Sequence, residues 1–180
     1  LSDQTIKDCG FYSADAAAAA KIVGWPKGSP GPGMAIPYRT LDGSVTDYSR
    51  LRPDKPRVEP GGKTVKYESP KGRPNRAYFP PGIQTALAGS HDPLLITEGE
   101  KKAAKASQEG LPTIGLVGVY GWKKKTAPDK QGDPVESDEL IPDLEAISWD
   151  GRQVTIVFDS DLLRNPDIQN AETRLATVLA

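Results

Sequence analysis

Apolar and polar positions change period near residue 90. Before it, short alternating stretches dominate: Met34-Ala35-Ile36-Pro37-Tyr38, a polar Asp42-Gly43-Ser44, then residues 45–51. Two-residue alternation around an Asp-Gly pair predicts a β-hairpin, because Asp-Gly supplies the positive φ angles that a tight turn demands. On its second strand Tyr48, Arg50 and Arg52 share one face. Upstream, Ser13 is positioned to cap a helix running through residues 16–20 and ending near Gly24, and the Pro- and Gly-rich residues 26–33 read as a loop. Short strands over 64–68 and 76–80 complete a small, mainly β unit.

Beyond residue 92 the texture is different. Apolar runs of four or five residues, bounded by Gly or Pro, alternate with helical patterns, which predicts parallel strands joined by crossover helices. Leu94-Leu95-Ile96-Thr97-Glu98 leads to a helix over 100–109 closed by Gly110, and a second strand follows over 113–117. A polar excursion starts at Gly121-Trp122, a helix is predicted over 137–146, and a third strand over 154–158, buried like the strand over 94–98. Asn165 then caps a helix with Pro166 at its first position and Ile168, Ala171, Leu175 and Val178 as its buried stripe. The expected fold class is α/β: a parallel-sheet domain over 93–180, preceded by a smaller mixed α/β basic subdomain over 1–92.

Carboxylates turn this architecture toward chemistry. In an open parallel sheet, strand ends meet at the C-terminal edge where ligands bind, so Glu98 after one strand and Asp159 and Asp161 after a later one are expected to converge. Their oxygens are hard ligands suited to Mg²⁺, the ion that phosphoryl transfer uses. One strand-end acid alone more often caps a helix, whereas three on one edge favour a metal.

Net charge is −1 and hides an uneven distribution. Residues 50–76 carry nine Lys and Arg against three acids, and residues 127–180 carry twelve acids against four basic residues. The basic stretch reads equally as a solvated face or as a surface for a polyanion. Glu100 reads as an ordinary first-turn acid with Lys101 and Lys102 on solvent, although either lysine could reach a phosphate, and Lys123-Lys124-Lys125 sit after the second strand as steering charges or as a solvated loop. Trp122 either stacks a base or covers the sheet edge. With one cysteine, Cys9, no internal disulfide forms, and with His91 as the one histidine no zinc site can be built. No apolar run approaches the ~18 residues of a membrane span and no signal peptide is visible, so a cytoplasmic protein without membrane partners is expected. Starting at Leu1 and stopping inside a helical pattern, the chain reads as a piece of a longer polypeptide.

The ordered set of Glu98-Gly99, the strand Ile114-Gly115-Leu116-Val117-Gly118 and Asp159-Ser160-Asp161 resembles the TOPRIM domain of bacterial-type primases, topoisomerases and some nucleases. Upstream, Ala35-Ile36-Pro37-Tyr38, Asp42-Gly43, Arg50 and Arg52, Val65-Lys66-Tyr67-Glu68-Ser69-Pro70 and Arg76-Ala77-Tyr78-Phe79 resemble the N-terminal half of the DnaG-type primase core. The chain also looks like an uncharacterised family of plasmid and phage replication proteins, through Gly10-Phe11-Tyr12-Ser13, the stretch from Asn75 to Gly82, Thr97-Glu98-Gly99-Glu100-Lys101-Lys102 and Phe158-Asp159-Ser160-Asp161.

This resemblance implies RNA primer synthesis on a single-stranded DNA template from ribonucleoside triphosphates, with Mg²⁺ or Mn²⁺ as cofactor and a helicase domain or protein as partner. Asp159 and Asp161 would hold the metal, and Glu98 would complete its shell or act as general base. Lys66, Arg50 or Arg52, and Arg76 would line the template and nucleotide groove; Lys101 and Lys123 join them as nucleic-acid or nucleotide contacts by their positions alone. Primases of this kind carry a further acidic cluster on a strand after the last helix seen here, so the TOPRIM part is expected to be truncated. The excursion over 122–144 is longer than in cellular primases. A TOPRIM metal-dependent nuclease and a non-catalytic DNA-binding module of a larger replication protein are the alternatives.

Overall fold

The computed structural model describes residues 1–26, 29–89, 92–125, 137–159 and 165–180. They divide into two units, one of Leu1–Thr40 with Ser44–Arg73 and one of Leu41–Gly43 with Pro74–Ala180.

In the first unit, α1 (Asp3–Cys9) starts where the Ser2 hydroxyl accepts from the backbone N of Thr5. Strand β1 (Tyr12–Ala14) follows, then α2 (Ala16–Val23). Asp15 caps α2, its Oδ1 accepting from the backbone N of Ala17 at 3.0 Å and of Ala18 at 2.8 Å. Ser13, the expected cap, lies in β1: the carboxylate two residues later is the stronger acceptor for orphan N–H groups. The expected hairpin forms from β2 (Gly33–Arg39) and β3 (Val45–Pro53), with Ala35 opposite Leu51 and Ile36 opposite Arg50. β1 pairs with the other edge of β2. Ala19 and Val23 of α2 bury against Ala14, Ala35 and Leu51. The strand expected over 64–68 is shorter: β4 (Arg57–Val58) pairs with β5 (Thr64–Val65), and beyond them only a bridge joins Leu51 to Glu68. The Glu68 carboxylate is buried and accepts from Arg57 Nε at 2.7 Å.

In the second unit, the elements are α3 (Gln84–Ala88), β6 (Leu94–Glu98), α4 (Glu100–Gln108), β7 (Thr113–Leu116), α5 (Pro142–Glu145), β8 (Val154–Val157) and α6 (Pro166–Leu179). The fold is α/β, as expected. β6 is central, paired in parallel with β7 on one side and β8 on the other. One face of this sheet offers Leu94, Ile96, Ile114 and Leu116 to a core shared with Ala171 and Leu175 of α6, Trp122, Leu144, Phe79 and Ile83. The opposite face carries smaller or polar residues, Thr97, Thr113 and Gly115. A Cβ added at Gly115 would lie 3.1 Å from the Ala103 Cβ of α4, so glycine here sets how closely that helix approaches.

Three further sequence expectations change. The boundary falls at Arg73 and Pro74 rather than near residue 92, because Ala77, Phe79, Ile83 and Ala86 belong to the core of the second unit. The helix expected over 137–146 is confined to α5, since Pro142 at its first turn favours an extended residue before it and Ile141 adopts ψ 151°. Strand β8, expected to be buried, leaves Thr155 and Val157 exposed on one face. Among the described residues no helix is long and apolar enough to cross a membrane.

Candidate functional site

Strand order β7-β6-β8 contains a reversal: the chain leaves β6 for β7 on one side, then crosses to lay β8 on the other. In open α/β sheets such a reversal opens a crevice outside the C-terminal ends of the two strands it separates. Here those ends carry Glu98 and Asp159. β6 and β8 are direct neighbours, so their ends are about 5 Å apart. Thr97 pairs with Val157, which levels Phe158 with Glu98 and Asp159 with Gly99. The two carboxylates therefore stand one register step apart on the same edge. A hydrogen bond from Thr97 Oγ1 to the carbonyl of Val157 at 2.8 Å reinforces the pairing just below them.

The turn from β6 into α4 is made by Gly99 at φ 91°, a conformation costly for any residue with a Cβ. Its N–H donates to the Leu116 carbonyl at 2.8 Å, which ties the turn to β7. Glu98, directly before it, is half-buried, and its carboxylate forms no hydrogen bond or ion pair among the described residues. Asp159 is exposed and bonds through Oδ1 to the ammonium of Lys102 in the first turn of α4. Glu100, read from sequence as an ordinary first-turn acid, is almost fully buried.

Asp161 and His91 lie outside the described residues. Among the described residues no group of three or more His, Cys, Asp and Glu side chains could hold a metal ion. The donor set nevertheless fits a hard divalent cation: Glu98 is a half-dry carboxylate with no partner, and Asp159 already holds a cation, the Lys102 ammonium.

The basic residues separate by their engagement. Lys101 is exposed on α4. Lys123 is largely covered, bonding Asp138 at 2.8 Å with its Nζ 5.2 Å from the Tyr120 ring centroid. Arg174 bonds the same Asp138 at 2.7 Å, and these two cations, Arg174 foremost, hold its carboxyl below the usual range. Burial first, and then the hydrogen bond to Asp167, push the Tyr120 phenol above its ordinary value. Trp122 is fully buried in the core and has no face open to a base. Arg76 donates from Nε to Asp143 Oδ2 at 2.6 Å, and the same oxygen accepts from the backbone N of Ala77 at 2.9 Å.

In the first unit, Arg50 is buried, donates to Ser69 Oγ at 3.0 Å and lies 5.4 Å from the Tyr67 ring centroid. Arg52, two residues on, and Lys66 are exposed. Burial thus separates the two arginines that sequence left interchangeable. Lys102, which the sequence left level with Lys101, is set apart at this edge by its bond to Asp159; the signal available was its position in the first turn of a helix that starts beside the strand end.

Comparisons with known proteins add the following. A family described as a domain of unknown function (DUF3854) matches residues 84–180. An uncharacterised protein of Picosynechococcus sp. is 36% identical over 76 residues, which is 42% of this chain and 8% of that protein's length. The chain thus spans a small part of that relative. Among solved structures, the catalytic core of E. coli primase has 16% identity and a TM-score of 0.44, with 98% of this chain and 69% of that one covered.

Proposed function

The chain belongs to the DUF3854 family, a domain of unknown function, and from that footing we propose that it is the primase-like catalytic part of a replication protein. It makes RNA primers on single-stranded DNA in the cytoplasm, during plasmid or phage replication, as a Mg²⁺- or Mn²⁺-dependent nucleotidyltransferase. The observation that carries this reading is the unpartnered, half-buried Glu98 beside the lysine-held Asp159 at the crevice where strand order reverses. The motif order quoted from the sequence supports it independently.

With Glu98 either completing its shell or acting as general base, Asp159 and Asp161 would hold the cation. Bound there, it would neutralise charge on an incoming ribonucleoside triphosphate. The chain's own residues do the rest. The rigid β6 end and the Gly99 turn keep the Glu98 carboxylate in a fixed place, which is what a proton acceptor for a primer 3′-hydroxyl needs. As that oxygen bonds to the α-phosphorus, the bond to the leaving pyrophosphate breaks. Template phosphates would be met by exposed cations, Arg52 and Lys66 in the first unit, with Lys101 on α4. Arg50, Arg76 and Lys123 would act by holding neighbouring side chains in place, and a helicase would be the partner that presents template.

The test is incubation of wild type, Glu98→Gln and Asp159→Asn with ribonucleotides, Mn²⁺ and a single-stranded template, alongside Mn²⁺ titration by calorimetry. Expected are primers from wild type, a loss of about 10²-fold or more in Glu98→Gln with DNA binding kept, and Mn²⁺ affinity reduced at least about tenfold in Asp159→Asn. Shortened template in place of primers would replace this reading with a nuclease. Bound but unchanged DNA, with no Mn²⁺ uptake, would replace it with a binding module.

A further inference from the structure

Lys102 sits where the proposed site should be most negative, and its ammonium is on Asp159. Both side chains are about half exposed, 47% for Lys102 and 54% for Asp159. An ion pair that wet is worth little, because water and salt screen it and two mobile side chains must be ordered to make it. It can be broken cheaply. Lys102 is also in the first turn of α4 and exposed, whereas Glu100, Ala103 and Ala104 of the same helix are buried. A lysine is a flexible, compact point charge able to move between two anions a few ångströms apart.

We infer that Lys102 is a resident counter-ion that a divalent cation displaces from Asp159, and that the freed ammonium then binds the polyphosphate arriving with that cation. The inference deepens the metal-dependent reading above and rests on it. Two consequences follow from the charges alone. With no metal bound, Lys102 neutralises Asp159 and is unavailable to phosphate. With the metal bound, Asp159 is taken, and the ammonium, repelled by the cation, has the anionic ligand as its remaining partner. Lys102 would thereby make triphosphate affinity depend on prior metal binding, an ordering that neither carboxylate could impose by itself.

The experiment compares wild type, Lys102→Gln and Lys105→Gln on the full chain. Lys105 lies on the same helix and is paired instead with Glu109, so its variant removes equal charge without touching Asp159. Mn²⁺ binding is read by calorimetry and by electron paramagnetic resonance, and binding of a non-hydrolysable ATP analogue is read with and without Mn²⁺. Expected in Lys102→Gln is Mn²⁺ affinity raised about two- to fivefold, the amount by which an exposed pair competes, with analogue affinity lowered about tenfold in Mn²⁺ and unchanged without it. Lys105→Gln should stay within about twofold of wild type in both. Equal Mn²⁺ affinity in all three proteins, or a loss of analogue binding that is the same with and without metal, overturns the role of Lys102 and leaves the metal site standing. If wild type binds no Mn²⁺, the metal-dependent reading fails and the displacement fails with it.

Discussion

Arg152 is 7% exposed, yet no acid partners it in any contact described. Its guanidinium donates to backbone carbonyls alone: Ser148 at 3.1 Å, Ala86 at 3.0 Å, Asp92 at 2.7 Å, Leu87 at 3.4 Å, and Gly89. All but the Ser148 carbonyl belong to the end of α3 and the entry to β6, so one side chain just before β8 fastens the start of the central strand. Only a planar fork with five donors can span them. Arg152→Ala strands several buried acceptors and should lower stability by roughly 3 kcal/mol, and Arg152→Lys should recover less than half of that, both read from denaturant midpoints. A variant within about 0.5 kcal/mol of wild type would mean water replaces the fork. Nothing in the sequence marks this arginine. Apart from the Ser148 carbonyl, its partners are main-chain oxygens some sixty residues away, and no periodicity or motif encodes which carbonyls a fold will bring together.

Among the elements, α4 matters most, since it follows Glu98 and carries Lys102. Its height over the sheet is set at Gly115, where an added Cβ would meet Ala103 Cβ at 3.1 Å, Gly99 O at 3.2 Å and Tyr78 Cβ at 3.2 Å. Gly115→Ala should therefore cost about 1–3 kcal/mol and weaken Mn²⁺ binding by displacing the Gly99 turn. Adding Ala103→Gly should restore part of both beyond its own helix penalty of about 1 kcal/mol, a coupling that a double-mutant cycle reads directly. Additive losses would show that the helix does not rest on that glycine. At this scale much was legible from sequence. β6, α4, β7 and α6, including the Asn165 cap, follow from local periods and end signals that tertiary packing did not override. α1 was missed because it is short and polar and its cap, Ser2, is one of many serines a sequence can offer. The placement of 74–89 was missed because Ala77, Phe79 and Ile83 are apolar in either unit, and only the assembled core decides which one takes them. The site was legible to the level of its strand-end acids. Lys102 was not singled out because two adjacent lysines look alike until the helix start is known to a residue.

For the whole molecule the relevant quantity is how charge is distributed, since the total of −1 says little about a polyanion's experience of the basic stretch. The structure divides that stretch into engaged and available cations. Arg57 is taken by Glu68 and Glu59, Arg73 by Asp47 and Arg76 by Asp143, while Arg52 and Lys66 are exposed. If the first unit meets template phosphates, Arg52→Ala and Lys66→Ala should each weaken single-stranded DNA binding for all sequences alike and lower the salt slope by ~0.7. Lys55→Ala with Lys63→Ala, equally exposed, is the control for the general field. Equal losses in the control pair would assign the effect to diffuse charge and remove the phosphate contacts.

The central strand of the second unit is also the first of its three to be synthesised. Thr97 finds Val157 only after sixty further residues have emerged, so during translation β6 waits with one edge uncovered. Pairings that distant close slowly, and an open apolar edge is the surface on which nascent chains misassociate. Leu94-Leu95-Ile96 is thus the segment most in need of shelter at the ribosome, and the acids that would make the site are assembled at the very last step of making the sheet.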